Sequence, residues 1–162
     1  MKELSAEDFT SALNKEDDLG MVIRAHIHIE HRLERYLALV VTHYEKYQTQ
    51  ITPDYETKIN LALAMGLSEE LRSVLKSLGT LRNRFAHQPN QSLKKSDADN
   101  VYSALSSAQK ELFQETFKAT SEQFAWSEKR FSQLAAEKKL GLLFLFVWSS
   151  LGLACRKLSA RA

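Results

Sequence analysis

Residues 68–87 read SEELRSVLKSLGTLRNRFAH, and the interpretation of the whole chain turns on them. Leu71, Val74, Leu75, Leu78, Leu81 and Phe85 recur at helical spacing and form one apolar stripe. Ser68, with Glu69 and Glu70 behind it, opens the helix. Pro89 disfavours helical geometry at Gln88, so the helix ends near His87. Arg82 falls inside the stripe, not opposite it. A guanidinium aimed at a dry surface is costly unless something pairs with it or a pocket needs it. Arg82 is therefore the first place to look for function.

Working outward, the rest of the chain reads the same way. Ser5 and Asp8 form a capping box for a short helix through about Leu13. A second helix is expected from Asp18 to Tyr47, carrying Ile23, Ile27, Ile29, Leu33, Tyr36, Leu37, Val40, Val41 and Tyr44. Thr52 and Pro53 start a third, as N-cap and first turn, and Gly66 closes it after Ile59, Leu61, Leu63 and Met65. After a polar loop over 88–96, Ser96 and Asp99 cap a helix with Val101, Leu105, Leu112, Phe113 and Phe117. A last helix is expected from Gln123 to Leu158. No strand-like alternation and no internal repeat stands out. The expectation is an all-α bundle of five or six helices in one domain over 1–162. Residues 1–17 form a short arm, 18–122 the core, and 123–158 a long C-terminal helix.

Composition sets bounds. Hydrophobic residues make up 44% and charged ones 26%, too apolar for disorder, and only two Pro and five Gly favour long helices. A net charge of +2 gives no electrostatic case for tight nucleic-acid binding by the bulk surface. The single Cys155 excludes an internal disulfide and a cysteine-based zinc site. The acidic N-terminus lacks a signal-peptide core, which points to a cytoplasmic protein. The apolar run Leu140–Cys155 falls short of the roughly 20 residues a bilayer needs. It reads as a core or dimer-interface helix with no membrane partner. Phe124, Trp126, Phe131, Phe144, Phe146 and Trp148 are assigned to the same core and interface.

The hexapeptide Arg82-Asn83-Arg84-Phe85-Ala86-His87 resembles the Arg-Asn-x-x-x-His signature of the HEPN superfamily. The stretch Lys58–Leu67, followed by Leu81-Arg82-Asn83, is similar to the MtlR-like (mannitol operon repressor-like) branch. As an order of helices the resemblance covers about residues 18–120. It implies a small dimeric helical bundle acting as a metal-independent endoribonuclease of a toxin–antitoxin, stress or defence system. Its partners would be a second copy, RNA, and an antitoxin or regulatory protein. It implies no cofactor and no metal.

Cleaving RNA without a metal needs a base for the ribose 2′-hydroxyl, an acid for the leaving oxygen, and a cation for the phosphorane. By the resemblance, His87 is the proton carrier, its intrinsic pKa lying near the working pH. Arg82 holds the phosphate through two donors, and Asn83 orients the ring or a phosphate oxygen. Five residues of helix separate Arg82 and His87 by roughly 140°, so the resemblance implies that two chains line a shared cleft. Arg24, His28, His31 and Arg35 are expected as a basic wall for an RNA backbone, with Arg84 facing solvent or a phosphate. Relatives paired with a nucleotidyltransferase antitoxin carry a Tyr where this chain has Pro89, which argues against that partnership.

Other readings compete. Arg82 pairs with Glu30 or Glu34 in a purely structural one, with His87 capping its own helix. The bundle would then serve as a non-enzymatic MtlR-like transcriptional regulator, a protein-interaction module. The histidines His26, His28 and His31 lack an accompanying zinc-ligand motif. A helix-turn-helix over Ala62, Gly66 and Ser68 has Arg72 where an apolar residue belongs, and its recognition helix would be the one with the buried stripe. Nothing resembles a phosphate-binding glycine loop, a nucleophile elbow or a dinucleotide fingerprint.

Overall fold

A computed structural model of the protein describes residues 5–13, 17–88 and 90–160. Pro89 and parts of the N-terminal arm, residues 1–4 and 14–16, lie outside the described residues. Among the described residues there is no strand, and the chain is all-α. Among the described residues, eight α-helices and one 3-10 turn replace the expected five or six helices, because two of the long helices are broken and a turn at Phe131–Gln133 precedes the last.

Helix α1 (Ala6–Leu13) opens with the expected capping box: the Asp8 N–H donates to Ser5 Oγ at 3.1 Å and the Ser5 N–H to Asp8 Oδ2 at 3.4 Å. Its Phe9 is fully buried and stacks on Trp148 at 4.8 Å between ring centroids. Helix α2 (Asp18–Val40) is capped by Asp17, whose carboxylate accepts from the Gly20 N–H at 2.7 Å. It stops seven residues short of the expected Tyr47. The β-branched residues Val40, Val41 and Thr42 crowd the preceding turn. His43 then adopts a left-handed φ of 61°, and α3 (Tyr44–Ile51) starts afresh with Tyr44 buried.

Helix α4 (Tyr55–Ala64) begins two residues later than expected, with Asp54 rather than Thr52 accepting from the Thr57 N–H at 2.7 Å. Its C-terminus is a Schellman turn: the Leu67 N–H donates to the Ala62 carbonyl at 2.9 Å and the Gly66 N–H to that of Leu63 at 3.0 Å. The turn needs a φ of +98° at Gly66. Helix α5 (Leu71–His87) buries the whole predicted stripe, entered through a turn at 68–70.

Helices α6 (Lys95–Ser103) and α7 (Ser107–Gln123) were expected as one. Ser106 divides them. Its hydroxyl accepts from the Gln109 N–H at 3.1 Å, and Gln109 Oε1 accepts from the Ser106 N–H at 2.9 Å. The long C-terminal helix is likewise shorter. Residues 124–135 form a loop with the 3-10 turn, and α8 runs Ala136–Ser159. The loop lets Phe131 and Leu134 turn into the core, where Phe131 meets Phe113 at 4.9 Å between centroids.

The central pair is α2 against α8, with α5 and α4 packed on α2, and α6 and α1 on α8. Arg32 is buried in the α2–α8 seam, where it donates to the Trp148 carbonyl and lies over that indole ring. A Cβ at Gly152 would sit 2.1 Å from Arg32 Nη1, so glycine is what admits the guanidinium. Helix α8 is the one described helix long and apolar enough to cross a membrane; half of its most apolar window is buried in the bundle.

Candidate functional site

Arg82 sits on the penultimate turn of α5, half-buried, where α5 faces α2 and α4. Among the described residues it forms no ion pair and no hydrogen bond. The carboxylates proposed as its structural partners are taken. Lys58 Nζ, on the buried face of α4, donates to Glu30 Oε1 at 2.7 Å and to Glu34 Oε1 at 2.6 Å. Those hydrogen bonds and the two negative charges outweigh the burial that would lower the Lys58 ammonium, and its pKa is raised.

The guanidinium acts on its neighbours through its field. His26, on α2, is 1% exposed and stacks obliquely on the Tyr55 ring at 4.3 Å. Burial first, and then the charge of Arg82, lower its pKa to about 4. Glu30 opposes the shift, and Lys58 adds to it. His26 Nδ1 lies 3.8 Å from Glu30 Oε2, and among the described residues its Nε2 has no hydrogen-bond partner. Burial, and secondarily Glu30, push the Tyr55 phenol well up, against the pull of Arg82. Its hydroxyl donates to the Leu75 carbonyl at 3.1 Å. One unpaired cation therefore adjoins a neutral imidazole and a neutral phenol, while the two nearby carboxylates share the single Lys58 ammonium and keep one net negative charge.

His87 is the last residue of α5 and is exposed, as is Asn83. Arg84 departs from expectation. Both terminal nitrogens donate to the buried Asp97 carboxylate, each at 2.7 Å, so it ties α5 to α6 instead of facing solvent. Burial alone would raise the Asp97 carboxyl. The hydrogen bonds from Arg84 and from the Lys94 N–H, with the Arg84 charge, outweigh it and hold the pKa low.

The expected basic wall stays together but faces away from Arg82. Arg24, His28, His31 and Arg35 share one stripe of α2, about 180° from His26. His28 meets Phe9 of α1 edge-on at 5.8 Å, whereas His26 meets Tyr55 of α4. The pKa of His28 is lowered by burial and then by His31 and Arg24. Within one chain the structure does not bring this stripe to Arg82. Lys58, Tyr55 and His26 are the neighbours that the sequence reading missed. For Lys58 the signal existed: it lies between Tyr55, Ile59 and Ala62 on the buried face, a cation in an apolar stripe like Arg82. Among the described residues no group of three or more His, Cys, Asp or Glu is placed to hold a metal ion.

Neither a family model, nor a curated protein, nor a solved structure matches the chain.

Proposed function

We propose that the chain is a HEPN-like endoribonuclease that cleaves RNA without a metal, as a dimer, through Arg82, Asn83 and His87 of both copies. The observation that carries the reading is the state of Arg82: half-buried, beside an apolar stripe, and without a carboxylate because Lys58 holds both Glu30 and Glu34. A cation left in that condition is poised for an anion from outside the chain, and a phosphodiester supplies one with the two acceptors a guanidinium fork prefers. The exposed His87 at the C-terminal end of the same helix supplies the proton carrier. The reading assigns the activity to a toxin–antitoxin, stress or defence setting in the cytoplasm.

Purified protein incubated with total RNA in EDTA should release fragments ending in 2′,3′-cyclic phosphate. Arg82→Ala and His87→Ala should each lower the rate by about a hundredfold or more, the scale of a lost phosphate clamp or general acid–base. Circular dichroism should show both variants still folded. Cleavage that survives His87→Ala, or that EDTA abolishes, would rule the mechanism out.

An apolar groove of about 340 Å³ between α7 and α8, flanked by the exposed Leu112 and Leu153, favours a second reading. In it the bundle is a non-enzymatic, MtlR-like protein-interaction module. No cleavage by the wild type, together with a partner protein lost on Leu153→Glu, would favour that reading.

A further inference from the structure

A second buried cation lies away from Arg82. Lys139, in the first turn of α8, has a side chain only 2% exposed. An ammonium carries three N–H donors. Among the described residues one acceptor meets them, Asp99 Oδ1 at 3.4 Å, and the Phe131 ring centre is 5.4 Å away. The Asp99 side chain is itself half exposed, so much of its charge is spent on water. A buried ammonium satisfied so thinly is unusual, since buried charges are normally paired and fully hydrogen-bonded.

Lys139 and Asp99 line an open cavity of about 650 Å³ between α6, α7, α8 and the loop before the 3-10 turn. Lys95, Lys118, Lys129 and Arg130 line it as well, all exposed and none in an ion pair among the described residues. Among the described residues that line the cavity, Asp99 and Glu115 are the carboxylates, against these five cations. The walls include the rings of Tyr102, Phe117 and Phe131, and a low-dielectric wall focuses the field of such a cluster into the space it encloses. The loop is also fixed in place. Gln133 Oε1 accepts from the Lys129 N–H at 3.2 Å and from the Arg130 N–H at 3.0 Å. Local positive charge, a poorly satisfied buried donor and a tethered loop converge in a chain whose overall charge is nearly balanced.

We propose that this cavity binds a small, multiply charged phosphate anion, with Lys139 bonding one oxygen from beneath and Lys129 and Arg130 closing over the others. A phosphate offers several acceptors in a compact group, which suits both an ammonium lacking acceptors and an Arg fork. The anion is free or esterified to a small organic group. The site is independent of Arg82.

The test is calorimetric titration of the full chain with inorganic pyrophosphate and, separately, with ADP, in low salt without metal. One saturable site is expected, weakened at least tenfold in the doubly substituted Lys129→Glu/Arg130→Glu protein and unchanged by Arg82→Ala. Those two loop residues are exposed, so the variant keeps its fold; Lys139→Met, checked by circular dichroism, should abolish binding. Equal affinity for the two probes would identify the phosphate groups as the whole of what is recognised. Tighter binding of ADP would add a contact to the organic part. No saturable heat with either probe, or full affinity in the loop variant, would overturn the proposal. So would capture of a single-stranded oligonucleotide where pyrophosphate fails, which would make the patch a strand-binding surface.

Discussion

His26 is the side chain through which pH reaches the fold most directly. Burial and then the charge of Arg82 hold its pKa at about 4, from an ordinary 6.5. As pH falls, the unfolded chain takes up this proton first. The stability tied to the neutral imidazole is therefore complete above pH 6.5 and is lost progressively down to about pH 4. The interval corresponds to about 3 kcal/mol. Urea titrations at pH 7 and pH 4 should show the wild type losing about that much more stability than His26→Phe, whose ring keeps the Tyr55 contact and needs no partner for Nε2. Equal losses would mean that water and protons reach the imidazole in the folded state. The sequence marked Arg82 and His87 because both departures from pattern are local: a cation in a stripe, and a histidine at a helix end. It did not mark His26 as a neighbour of Arg82. Two faces of α2 carry histidines at helical spacing, and only packing against α4 decides which face is dry.

Between elements, the same limit explains Arg84. A cation at the edge of the α5 stripe looks solvent-facing until α6 brings Asp97 beneath it. Asp97 is 4% exposed, so removing the cation strands a buried carboxylate. Arg84→Ala should cost about 3 kcal/mol, near the low end for breaking a buried pair. The double change Arg84→Met/Asp97→Leu should recover most of it, because an apolar pair leaves no charge stranded. Chemical denaturation of the three variants checks this, and a double variant as unstable as Arg84→Ala would refute the clamp. Retained RNA affinity in the refolded double variant would also separate Arg84 from the proposed site. The body of each helix was legible, since the apolar spacing sets it, but residues 124–135, expected as the start of the last helix, form a loop. The extra boundaries were written in capping chemistry more than in periodicity: Ser106 and Gln109 stand three apart in a capping-box pattern. The break after α2 has a weaker signal, a β-branched run that tertiary packing of Tyr44 converts into a turn.

For the molecule as a whole, the division of labour among the helices is uneven, and this predicts where it opens first. Helices α2 and α8 cross the centre and contact most of the others, with Arg32 locked between them by Trp148 and Gly152. Helix α7 differs. Among the described residues, its backbone takes no part in the more extensive helix–helix approaches that join the other seven. It is attached through rings, Phe113 against Phe146 at 5.4 Å and Phe117 against Phe131 at 6.0 Å, with the apolar groove left between it and α8. Local opening costs least where few buried contacts are surrendered. Amides of α7 and of the loop 124–135 should therefore exchange with solvent deuterium at least about tenfold faster than those of α2 and α8, a difference of about 1.4 kcal/mol in opening free energy. Filling the groove at its rim with Ser149→Leu should slow α7 and leave α2 unchanged. Uniform protection across α2, α7 and α8 would show instead that the aromatic cluster couples α7 into the cooperative core. In that case the groove would be a packing gap within one rigid unit, and a partner would have to bind without α7 moving.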